Sequence, residues 1–126
     1  MMQGANAYAR VARSALTPRE AEAAVLLKAA GRLQAFTTGE VMGSAALNEA
    51  LMFNQRVWTI LAGAVADPAN PLPDDIRQNV TNIAVFVFRT IIDAMIEPAA
   101  HKLEALVSLN NHLAAGLQGS PTPSAA

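Results

Sequence analysis

Apolar residues recur along this chain at steps of three and four, the period of an α-helix with one buried side. Four long segments carry the pattern. In the first, from Pro18 to about Phe36, Leu26, Ala30, Leu33 and Phe36 share a side. In the second, Ser44 to Ala66, Leu47, Leu51, Trp58, Leu61 and Val65 form one stripe, interrupted by Asn54. Phe53, Val57, Ile60 and Ala64 form another alongside, and a helix apolar over so wide an arc is expected to be the central one. The third segment, residues 75–96, aligns Ile76, Val80, Ile83, Val87 and Ile91, with Phe88, Ile92 and either Met95 or Ile96 adjacent. Its run from Ile83 to Phe88 has the composition of a strand, but the periodicity continues for about 20 residues, far beyond an ordinary strand. Length decides for helix. The fourth segment starts at about Ala99 and repeats Leu103, Leu106, Asn110, Leu113 and Leu117, widened by Val107 and Ala114. A shorter stretch, residues 5–15, sets Tyr8, Val11, Ala12 and Ala15 opposite its arginines. The predicted fold class is all-α: a small helical bundle of four main helices plus a short N-terminal helix. Residues 1–118 read as a single helical domain, and 119–126 as a disordered Pro/Ser/Ala tail.

The punctuation between these segments supports the same division. Thr17-Pro18-Arg19-Glu20 has the form of a capping box, in which the threonine hydroxyl and the glutamate each satisfy an end N–H. Pro18 suits the first helical position, where an N–H is not needed. Thr37-Thr38-Gly39 closes the first helix. Pro68, Pro71 and Pro73 each disfavour helix at the preceding residue, which makes 67–73 a stiff, extended connection. Asp74 is expected to cap the third helix, with Asp75 at the positive end of its dipole. Pro98 separates the third helix from the fourth, and Gly116 or Gly119 can end the latter.

Composition changes this picture in one respect. Of 126 residues, 52% are hydrophobic and only 15% charged, so the polar residues are too few to cover a bundle this size and an exposed apolar patch is expected. The net charge of −1, with arginines scattered, argues against direct nucleic-acid binding, which needs a concentrated basic face. There are no cysteines and so no disulfide framework or thiolate chemistry. The N-terminus lacks the apolar core of a secretory signal. The most apolar run, Ile83 to Ile92, is broken by Arg89 and followed by Asp93, so membrane insertion is not expected. These readings point to a cytoplasmic protein.

Candidate chemistry is sparse. His101 and His112 lie eleven residues apart, about 16 Å along a helix, too far to share a metal. Asp74-Asp75 reads as a cap rather than an acid/base pair. No glycine-rich phosphate loop is present, and no serine stands near a histidine in a recognisable elbow. No catalytic, cofactor-binding or metal site is expected. Asn54, Asn79, Asn82 and Asn110 fall in or beside apolar stripes, and buried amides need partners. They are expected to bond across helices and fix register, or else to form a polar strip within a partner groove.

Three segments together resemble the FlaF family of flagellin-biosynthesis regulators. They are Ala7-Tyr8 with Thr17-Pro18-Arg19-Glu20-Ala21-Glu22; Asn54-Gln55-Arg56-Val57-Trp58-Thr59-Ile60-Leu61 running into Asp67-Pro68-Ala69-Asn70-Pro71-Leu72-Pro73; and Ile76-Arg77-Gln78-Asn79 with Ile83–Phe88 and Asn110–Leu117. The likeness covers about residues 5–117 and transfers no catalytic residue. It implies a cytosolic protein needed for flagellin production or export, either as a secretion chaperone that binds flagellin or as a post-transcriptional regulator of flagellin mRNA acting through RNA or another regulatory protein. A third reading is a structural module whose apolar surplus builds a homodimer. The low charge favours the chaperone, since an apolar groove between helices can hold a partner helix. The expected partner-binding walls are Val85, Phe86 and Phe88 on the third helix and Leu106, Val107, Leu113 and Leu117 on the fourth.

Overall fold

A computed structural model describes residues 17–119; the expected N-terminal helix and residues 120–126 of the tail lie outside them. The described residues form four helices: α1 (Pro18–Thr37), α2 (Ser44–Ala66), α3 (Asp74–Ile96) and α4 (Ala100–Leu117). Their bounds follow the sequence periodicity to within a residue or two. Strands are absent among the described residues, so the β-rich composition of Ile83–Phe88 yields to its place in a long amphipathic pattern.

Each helix packs against two others: α1 on α2 and α4, α3 on α2 and α4. Across the diagonals, α1 to α3 and α2 to α4, no Cα atoms come within 8 Å. The bundle is therefore a ring of four around one core, with short connections joining antiparallel neighbours. This corrects the expectation that α2 is central. Its second stripe explains the difference: Ile60 is 72% exposed, because it sits two residues, or about 200°, around the helix from buried Trp58. Val57 is at the core edge and Phe53 lies half-buried, with the Arg32 guanidinium of α1 4.2 Å from its ring centroid.

The core takes Leu26, Ala30 and Leu33 from α1 and Leu47, Leu51, Trp58, Leu61 and Val65 from α2. Val80, Ala84, Val87 and Ile91 come from α3, and Leu103, Leu106, Ala114 and Leu117 from α4. Phe36 is only half-buried and Ile76 is exposed, both near helix ends where the ring opens.

The ends are fixed by local chemistry. At α1 the Thr17 hydroxyl accepts from Glu20 N–H at 3.0 Å, and Glu20 Oε1 accepts from Thr17 N–H at 3.0 Å, closing the capping box. Gly39, at φ +83°, turns the chain out of α1 where a side chain would be strained. Gly119, at φ +66°, follows α4 in the same way. Asp74 is not the cap of α3: Pro73 holds that position, and Asp74 is the first helical residue, paired with Arg77 at 3.0 Å.

The proline loop is tied down more tightly than its sequence suggests. Asp67 Oδ1 accepts from Ala69 N–H and Asn70 Oδ1 from Leu72 N–H, each at 2.9 Å, while Asn70 Nδ2 donates to Ala64 O at 3.1 Å. Arg77 reaches back from α3, and its Nη1 donates to Val65 O at 3.1 Å and Asp67 O at 2.9 Å. A cation is thus held at the negative end of the α2 dipole. Lys102 does the same for α3, donating to Glu97 O at 2.7 Å.

Candidate partner-binding surface

Four polar groups meet inside the apolar core. Trp58 Nε1 donates to Asn110 Oδ1 at 2.8 Å, and Asn110 Nδ2 donates to Asn54 Oδ1 at 2.6 Å and more weakly to Leu26 O at 3.4 Å. The indole can only donate, so it dictates that the oxygen of Asn110 faces it, and the amide nitrogen then faces Asn54. Trp58, Asn54 and Asn110 are each 0% exposed. The node joins α1, α2 and α4, bridging a diagonal that the backbones leave open. Asn54 Nδ2 is left without a partner among the described residues, so the network is short by one bond. Asn54 and Asn110 therefore fix register across helices, as their positions in the stripes imply. Asn79 and Asn82 do not: both are exposed, and Asn82 only accepts from Gln78 one turn away.

The outer surface is apolar on α3. Val85 is 47% exposed, Phe86 52%, Ile92 54% and Ile96 78%. Val85, Ile92 and Ile96 lie at helical spacing on one side with Phe86 beside them; Arg89 falls in the same line, where its aliphatic stem can lie along the stripe. α3 is also the one described helix long and apolar enough to cross a membrane by length and composition, with a third of that stretch buried in the bundle. Its buried residues face α2 and α4, so the surplus is on the outside.

The sequence-expected walls separate on this geometry. Val85 and Phe86 are open to solvent; Phe88, Val107 and Leu113 are half-buried against the core. Leu106, at 0% exposure, and Leu117, at 7%, are core residues and offer no wall to a partner. The fourth-helix leucines repeat at the period that turns them inward, and periodicity alone does not say which neighbour covers them. Ile92 and Ile96 were legible only as residues adjacent to the α3 stripe, yet they extend the exposed face by a full turn. His101 and His112 are both exposed; Ser108 Oγ and His112 Nδ1 stand 3.2 Å apart, a surface pair one helical turn apart rather than an elbow.

The sequence profile of a family described as "Flagellar protein FlaF" matches residues 4–117. The chain belongs to the FlaF family. The matched span includes the polar node, the proline loop and the α3 face, and the role of the protein is in flagellum biogenesis. FlaF is not an enzyme family. No curated protein and no solved structure matched the chain.

Proposed function

We propose that this FlaF protein binds flagellin in the cytoplasm as a secretion chaperone, through the exposed apolar face of α3. The observation that carries the reading is that face itself: Val85, Phe86, Ile92 and Ile96 project from a helix whose other side is already committed to the core. A partner helix laid along it would shield apolar area worth about 25 cal/mol per Å², the mode by which amphipathic helices dock on apolar surfaces. The terminal segments of flagellin, helical and prone to assemble with other subunits, have the matching chemistry. Phe88 and Leu113 are half-buried against the core, and Val107 lies beside Gln34 and Thr37 of α1, away from this face.

Regulation of flagellin synthesis then follows from occupancy, since a chaperone filled with flagellin differs from an empty one in the surface it presents. Action on flagellin mRNA through RNA is the weaker reading, because the net charge is −1 and the arginines are scattered along the chain. Co-purification of the full chain with flagellin tests the proposal, and RNA capture that falls steeply with salt would instead favour the regulator.

A further inference from the structure

A second apolar feature lies away from α3. Between the start of α1 and the second half of α2 is a pocket of about 210 Å³. Its floor is Leu26 and Leu61; its rim is Val25, 41% exposed, and Ile60, 72% exposed, with Ala21 and Glu22 at the open end. We propose that residues 5–15 of the same chain dock here, laying Tyr8, Val11 and Ala12 against Val25 and Ile60.

The entry point of the chain supports this occupant. Thr17 is bonded to Glu20 through both its side chain and its N–H, and residues 5–15 are joined to this first turn of α1 through Leu16 alone. In that motif the residue before the cap packs on the fourth residue of the helix. Here those residues are Leu16 and Ala21, and Ala21 is itself at the mouth of the pocket. Length fits as well. Eleven residues of helix span about 16 Å, against about 6 Å from Ala21 to Val25, so the segment is long enough to cover the pocket.

The chain has no cysteine, which allows a direct test in the full-length protein. Val11→Cys combined with Ile60→Cys should form a disulfide within one chain under mild oxidation, because docking brings the backbones to bonding distance, below about 7 Å between Cα atoms. Val11→Cys with Ile96→Cys, on the far face, should stay reduced. Equal cross-linking of the two pairs, or none at 11–60, would overturn the proposal. A bond between two chains would overturn it too, assigning the pocket to a second copy. Hydrogen exchange provides the independent arm: Ile60→Asp, at an exposed position, should speed exchange of residues 5–15 by roughly tenfold while α3 and α4 keep their protection. Unchanged exchange in 5–15 rules out docking in cis, and if that variant also loses flagellin, the pocket is a flagellin site instead.

Discussion

The indole of Trp58 and the side-chain amide of Asn110 meet at 2.8 Å between two helices whose Cα atoms nowhere approach within 8 Å. The bond spans the diagonal of the ring and ties α2 to α4 with no backbone contact to help it. Apart from the Asn54 amide and Leu26 O, both bonded to Asn110, the surroundings are apolar, so the pair is held by geometry that only the native register supplies.

Removing the indole should therefore cost both packing and a bond. Trp58→Ala is expected to destabilise by about 3–5 kcal/mol, and Trp58→Phe by about 1–3 kcal/mol, because Asn110 Oδ1 then stays buried without its donor. Thermal and urea melts measure both. In a double-mutant cycle, Trp58→Phe and Asn110→Ala should be clearly non-additive, as expected for direct contact. Additive losses would mean the bond contributes nothing beyond packing.

Arg77 is expected to matter for the loop rather than the core. Arg77→Ala should cost about 1–3 kcal/mol, since a charged donor to Val65 O and Asp67 O is lost. Arg77→Lys should recover only part of this, because one ammonium cannot reproduce the guanidinium fork that also meets Asp74. Chemical denaturation of the three proteins gives the order.

Much of the fold was legible in the sequence, for identifiable reasons. The helix bounds followed from strong periodicity and from the capping box at Thr17, which depends on residues only three apart. The buried amides of Asn54 and Asn110 were legible because each interrupts an apolar stripe. What did not follow was how the helices share neighbours. Ile60 lies on a helix apolar around a wide arc, and only the ring arrangement shows that its side faces outward. The same uncertainty placed Leu106 and Leu117 on a groove wall, whereas α1 and α3 flank α4 and enclose both. Arg77 was a lone charge in sequence; its role depends on carbonyls that α2 presents across the loop.

The carboxyl of Glu22 is pushed above its ordinary value by burial at the α1–α2 pocket, an effect the nearby Arg19 partly offsets. A raised carboxyl pKa means that the folded state disfavours the ionised form. The resulting penalty is absent below the unfolded value, near pH 4.3, grows as pH rises toward the folded value and is complete above it. Glu22→Gln should accordingly raise the melting temperature at pH 7 and lose that advantage below about pH 4. A melt series across that window checks the sign; a variant less stable than wild type at pH 7 would show that the ionised carboxylate is stabilising.

Salt separates an apolar contact from an ionic one. Capture of flagellin on the α3 face should change little between low and moderate salt, because screening acts on charges and the face carries only Arg89 and Asp93 among its apolar residues. Titration calorimetry at two ionic strengths reads this, and a steep fall in affinity would point to an ionic surface elsewhere on the molecule.

The most direct test of the central claim is flagellin capture by Phe86→Asp. Phe86 is 52% exposed, so an aspartate there should leave the bundle folded, with an unchanged helical circular dichroism spectrum. One well-buried aromatic contact contributes about 1.5–3 kcal/mol, so affinity for flagellin should fall by at least roughly tenfold. A folded Phe86→Asp protein that captures flagellin as well as wild type would contradict binding through α3.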